Sequence, residues 1–233
     1  MSIGDIRFTV LQTVNEVMRK LGLNTVSVLA QNKVSTELVD HINDVVSDCS
    51  DFGNWMETMT TAMVTAQTSV RDYTINTSAV IKNIGDVYIS TRKGPLRNVS
   101  IQEMRILTRT TSMGTPTQFT VYGTDSNGNP IIRVRPTPAV ADNGSLFSIL
   151  YYTKPPIYTT SDASTVIPFP ARIIVLGTLA SYTLRQNSGA PTDMYSAFYK
   201  QYLDERRESL SRFNSDTGWD VSFTPARVNR WRR

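Results

Sequence analysis

PFPARIIVLGTLASYTLRQNSGAP, residues 168–191, is the stretch on which the fold turns. Proline is tolerated in the first turn of a helix, so Pro168 and Pro170 suit the start of one, and the sequence then predicts a helix over Ala171–Asn187. That helix is apolar on most of its sides, a pattern that belongs to a buried helix and not to a surface one. Its apolar run, Ile173–Ala180, lies between Arg172 and Arg185, which leaves twelve residues where a bilayer needs roughly 20. What surrounds it must therefore be protein. Ser188-Gly189-Ala190-Pro191 reads as a compact helix-to-helix turn. A second helix follows from near Pro191 to about Ser215, with Tyr195, Phe198, Tyr199, Tyr202, Leu203, Leu210 and Phe213 on one stripe and Glu208 and Arg212 spaced as an i,i+4 pair.

The partners of these helices stand at the other end of the chain. Ser2 and Asp5 form a capping pair, after which Ile3, Ile6, Val10, Val14, Val17 and Leu21 recur at helical spacing up to Gly22. A further helix starts at Ser35 and fades at Asp51–Gly53; Leu38, Val39, Ile42, Val45, Val46 and Cys49 make its apolar stripe, while Glu37, Asp40, Asp44 and Asp48 take other faces. Between the two helical regions the chain changes to short runs of Thr, Val, Tyr and Ile broken by Gly, Pro and Asn, which is strand chemistry. Strands are expected near Ser69–Asn76, Ile84–Ser90, Gln118–Gly123, Ile131–Val134 and Leu146–Lys154. Asp125–Pro130 has the Asn and Gly residues of a hairpin turn. A short helix at Ile101–Arg109 carries Ser100 and Glu103 as a capping box.

Neither helical pair has the length to close a core alone, so the two must pack together. The expected fold is α+β: a helical bundle built from N- and C-terminal helices (residues 1–58 and 167–215), a central β-rich lobe (59–166), and an extended basic arm (216–233). The chain has 233 residues, 40% of them hydrophobic, enough for a substantial core. A single cysteine, Cys49, excludes intrachain disulfides and multi-cysteine zinc sites and fits a reducing cytoplasm. The N-terminus lacks the basic leader and apolar run of a secretory signal, and no membrane segment is expected.

Catalytic and cofactor chemistry finds little support. One histidine, His41, would have to serve any nucleophile, and on one helix it lies about 12 Å along the axis from Cys49. Cys49 reads better as a small core residue. Glu37, His41 and Asp44 form a weak metal-ligand pattern with no second histidine to complete it. Asp125, Asn127 and Asn129 alternate as in a calcium loop, but Pro136 stands where the bidentate glutamate belongs. No phosphate-binding Gly-rich motif occurs. The expectation is a non-enzyme with no cofactor and no metal; a pair of carboxylates converging in space, as in a glycosidase, is the enzymatic alternative.

The formal net charge is +4, and four arginines within residues 221–233 account for all of it, leaving residues 1–220 balanced. Trp219, Val221 and Phe223 alternate with polar residues as in an extended strand, and Arg227, Arg230, Trp231, Arg232 and Arg233 follow. Such an arm suits docking: its aromatic residues each offer about 1.5–3 kcal/mol on burial, and its arginines select an acidic or phosphate surface. The competing readings are a frayed, solubilising terminus and a nucleic-acid-binding module, with the aromatic residues stacking on bases and the arginines on phosphates.

The order of parts resembles the head-to-tail adaptor proteins of tailed bacteriophages, the group that includes the tail tubular protein A of short-tailed phages. The resemblance rests on Phe52-Gly53-Asn54-Trp55, Tyr73-Thr74-Ile75, Val87-Tyr88, Gly94-Pro95-Leu96, Gly114-Thr115-Pro116 and Val134-Arg135-Pro136-Thr137-Pro138. It continues through Pro168-Phe169-Pro170, Gly189-Ala190-Pro191 and the basic arm. It implies a structural virion protein, made in the host cytoplasm, forming a homo-oligomeric ring of usually twelve copies between the portal protein and the tail or nozzle proteins. Genomic DNA would pass through the bore without specific binding. The resemblance implies no catalytic residues; it implies portal docking by the arm, Trp219 to Arg233, and subunit contacts by the helical regions.

Overall fold

A computed structural model describes the backbone of residues 6–217 and side chains as far as Ser211. The expected cap at Ser2 and Asp5, the helical Ile3, the side chains of Arg212 and Phe213, and the arm from Trp219 to Arg233 lie outside the described residues. The chain forms two compact units, one from residues up to Glu57 together with those from Pro155 onward, the other from Thr58–Lys154.

The helical unit is built around the apolar helix recognised in the sequence. α1 spans Val10–Lys20, α2 Lys33–Phe52, α4 Ala171–Gln186 and α5 Asp193–Thr217. Twelve of the sixteen residues of α4 are buried, and α1, α2 and α5 all pack against it. Gly177 permits this: a Cβ there would sit 2.6 Å from Val45 Cγ1 on α2 and 3.0 Å from Tyr202 Cε2 on α5. At Ser188 and Gly189 the backbone turns through φ of 53° and 81°, and Gly189 N donates to Leu184 O, closing the end of α4.

α1 starts later than its periodicity suggests. Thr9 caps it, with Gln12 N donating to Thr9 Oγ1 (3.2 Å) and Thr9 N to Gln12 Oε1 (2.9 Å). This reciprocal pair is stronger than an isolated apolar repeat, so Ile6–Phe8 stay extended; Ile6 O accepts from Ala171 N and Phe8 O from Ile167 N. α2 is capped likewise by Asn32 and Ser35, and its buried stripe is the expected one.

Residues 155–166, expected in the β lobe (59–166), belong to the unit that holds the helices. Asn43 on α2 clasps the backbone of Tyr158 from both sides, donating to its carbonyl and accepting from its N–H, each at 2.8 Å. Val10 N and Leu11 N donate to Thr165 O and Ala163 O.

The β unit contains β1 (Met59–Thr65), β2 (Asp72–Thr74), β3 (Ile81–Ile89), β4 (Arg97–Asn98), α3 (Ile101–Leu107), β5 (Gln118–Thr124), β6 (Pro130–Arg135) and β7 (Leu146–Thr153). They make a three-stranded sheet in the order β1-β7-β3 and a four-stranded one in the order β2-β6-β5-β4. Tyr73, Phe119, Ile132 and Val134 from one sheet share a core with Val87, Ile89, Phe147 and Ile149 from the other. Two strands carried no sequence signal of their own, β1 and the two-residue β4. The strand expected over Ser69–Asn76 shortens to β2, and Ser69 turns the chain ahead of it through a φ of 66°. Only half of the capping box at Ser100 forms. Ser100 Oγ accepts from Glu103 N, but the Glu103 carboxylate turns to Arg97 at 3.3 Å.

Candidate functional site

The two catalytic candidates of the sequence, His41 and Cys49, are both buried. His41 is 3% exposed, and its Nδ1 lies 2.7 Å from Ser181 Oγ, a partner that sequence spacing gave no means of finding. A serine beside a histidine has the spacing of a nucleophile and its base, yet both side chains are buried, Ser181 within α4. Burial, helped by Arg185, holds His41 below its usual pKa, with Asp40 and Glu37 pulling the other way. Cys49 is fully buried near Tyr202, and burial pushes its thiol up to about 12, the reverse of what a nucleophile needs.

The metal pattern dissolves in the same way. Glu37 pairs with Lys33 at 3.6 Å, His41 turns to Ser181, and Asp44 stands exposed with Asp40 and Arg185 as its charged neighbours. Among the described residues no three His, Cys, Asp or Glu side chains gather as a metal site. Asp125 closes the expected hairpin by accepting from the backbone N–H of Asn127 and Asn129, both at 2.8 Å, with Gly128 at a φ of 83°. A groove of about 560 Å³ runs beside this hairpin, lined by residues 77–84 and including the exposed Val80 and Val121. No described helix is long and apolar enough to cross a membrane.

What the structure adds is a division of charge. The balance over residues 1–220 is the sum of two opposed units. Thr58–Lys154 carry ten Lys and Arg against five Asp and Glu, a formal +5. The helical unit without residues 221–233 carries ten against fifteen, a formal −5.

In the β unit the cations converge on one end of the four-stranded sheet. Gln118 opens β5, with Arg97 of β4 in register on one side and Arg135 of β6 on the other. Arg92 reaches the same place, Nη1 donating to Thr117 O at 3.2 Å. Arg135 Nη2 donates to Thr110 Oγ1 at 3.0 Å, which brings in the neighbouring Arg109. Arg92, Lys93, Arg97 and Arg109 are exposed, and the one acid between residues 87 and 124 is Glu103. A tally of charge by segment would have marked this region; Arg135 joins only through strand pairing. A further arginine, Arg133, is withdrawn from the surface: it is 8% exposed, bonded through two nitrogens to Asp72 at 2.6 and 2.7 Å, and its guanidinium lies 3.4 Å from the Tyr122 ring centre.

In the helical unit the negative charge concentrates on α2, whose twenty residues hold five acids and one lysine. Asp40 and Asp44 are exposed one turn apart, and burial together with the Asp40 charge raises the Asp44 pKa, Arg185 offsetting part of the effect. The docking residues expected from sequence, Trp219, Val221, Phe223, Arg227, Arg230, Trp231, Arg232 and Arg233, lie outside the described residues.

No curated protein matches the chain. The family model described as SU10 adaptor protein matches residues 8–228, nearly the whole length and both units.

Proposed function

The chain belongs to the SU10 adaptor protein family, a phage head-to-tail adaptor family, and from that premise we propose how it acts: as a ring under the portal that joins head to tail and lets the genome through. It is a structural phage protein. In this reading the segment Trp219–Arg233 docks on the portal, where Trp219, Phe223 and Trp231 bury their rings and Arg227, Arg230, Arg232 and Arg233 select acidic groups. The β unit meets the tail components, and the helical unit contributes contacts between copies.

The observation that carries the reading is the family match across residues 8–228. Two features agree with it. The groups with catalytic potential, His41, Ser181 and Cys49, are all spent in the core, and a twelve-fold structural ring asks for none of them. The sequence from Trp219 onward combines aromatic and basic residues with no acid after Asp220, as an anchor to another protein requires.

The test is a chain ending at Thr217, added to phage heads that lack this protein. The truncated chain should keep the circular dichroism of the full chain and lose attachment to the heads. Attachment at the full-length level would remove the docking role from the arm. Tight binding of the full chain to duplex DNA, with four arginine contacts giving a salt slope of about −3.6, would move the arm to nucleic-acid recognition.

A further inference from the structure

We propose that the basic end of the four-stranded sheet is one half of the contact between neighbouring copies: Arg92, Lys93, Arg97, Arg109 and Arg135 of one subunit meet the acidic helical unit of the next, at α2. The inference rests on the ring reading and names the surfaces that would hold the ring together.

A closed ring needs a heterologous contact, so each copy must carry two different, mutually complementary surfaces. This chain carries two units of opposite and equal formal charge, +5 over Thr58–Lys154 and −5 over the helical unit short of residue 221. Complementary charge sets orientation and register, and disfavours contacts that bring surfaces of like sign together. The positive surface is a built one. Strand register places Arg97 and Arg135 on either side of Gln118, and hydrogen bonds to Thr117 O and Thr110 Oγ1 hold Arg92 and Arg135.

The matching features on α2 are Asp40 and Asp44. Glu37 is engaged by Lys33, and Asp48 by Tyr202 and Arg206, whereas Asp40 and Asp44 stand exposed and repel one another. A neighbour's guanidinium groups would relieve that repulsion beyond what Arg185 does.

DNA is the other polyanion in such an assembly, and the ring reading disfavours it. Five cations lining the bore would grip the duplex by counterion release, each contact steepening the salt dependence by about 0.9, where the polymer must slide. The basic end is better turned to a neighbour than to the bore.

The experiment uses the full chain, loaded onto heads lacking it, with copies per head counted. Lys93→Glu/Arg109→Glu and Asp40→Lys/Asp44→Lys alter exposed side chains, and circular dichroism confirms that each variant folds. Each pair of reversals should weaken loading by about 10- to 100-fold at low salt. Loading should return when all four reversals are combined in one chain. It should also return when the two variants are mixed in equal amounts, since alternating copies then meet through opposite charges at every contact. Loading unchanged by either pair, or no recovery in the combined forms, overturns the inference and leaves the adaptor reading standing. Loss of DNA binding without loss of loading assigns the surface to DNA and also overturns it. If the unaltered chain does not load, the adaptor reading fails. Self-association of the free chain at low salt, with or without the same pattern of loss and recovery, then decides the contact.

Discussion

Replacing Gly177 with alanine should destabilise the protein even though alanine is the better helix former. The added Cβ would lie 2.6 Å from Val45 Cγ1, 3.0 Å from Val45 Cγ2 and 3.0 Å from Tyr202 Cε2. Carbon atoms in contact prefer about 3.5–4.0 Å, so something must move by nearly 1 Å. Val45 is 1% exposed and Tyr202 3%, so neither can rotate into solvent, and α4 must back away from α2 and α5. Overpacking of this kind costs about 1–3 kcal/mol, and the gain in helix propensity returns about 1 kcal/mol. The expected net loss is about 1 kcal/mol, or ~2–4 °C in Tm for a chain of this size. Urea and thermal unfolding of the full chain measure it. A Val45→Ala partner should recover part of the loss, because removing Cγ1 and Cγ2 opens the space the new methyl needs. If Gly177→Ala instead raises Tm, and Val45→Ala adds nothing to it, the close three-helix crossing is not there.

Two further outcomes follow from buried charge. The His41 imidazole is held below its ordinary pKa of 6.5, so the unfolded chain takes up a proton that the folded chain refuses, and stability falls as the pH drops below about 6.5. The loss is at most about 1.4 kcal/mol per pH unit and stops once the folded imidazole protonates. Denaturant titrations at pH 7.5 and 5.5 should show it, and His41→Gln should fall less; equal falls in both proteins would rule His41 out as the cause. Arg133→Lys keeps the charge but loses the two-nitrogen grip on Asp72 and the stacking on Tyr122, a cost of about 1–2 kcal/mol confined to the β unit. Hydrogen exchange should quicken in β2 and β6 while α4 keeps its protection; unchanged exchange in β2 would show that the pair contributes no stability.

Which features could be read in the sequence depended on how local their cause was. α4 was legible because a helix apolar all round admits one interpretation, and α2 because Leu38 to Cys49 form an unbroken stripe. The start of α1 misled because Ile3 and Ile6 extend the helical period by coincidence, while the deciding Thr9 and Gln12 pair is a hydrogen-bond matter that periodicity does not register. β1 was missed because Met59–Thr65 is an edge strand whose sequence, MTTAMVT, alternates too weakly to mark an inner face. Residues 155–166 join the helices through Asn43 and Tyr158, a contact 115 positions apart. The charge division escaped notice for a topological reason: the β unit is inserted between the two halves of the helical unit, so a sum along the chain cancels what the fold separates. Family membership was legible because strings such as Phe52-Gly53-Asn54-Trp55 and Pro168-Phe169-Pro170 keep their order. In the structure they serve close packing: Gly53 abuts Leu210, and the Trp55 ring packs edge-on against Phe169 at 5.3 Å.

The central claim, that the segment after α5 grips the portal, is met most directly by a photo-crosslinking residue placed at Trp231 in the full chain, loaded onto heads and irradiated. The account predicts a covalent product between this chain and the portal protein, identified by mass spectrometry and lost when unlabelled full-length chain competes. Capture of the chain's own helices, or of a tail component with the portal untouched, would contradict it.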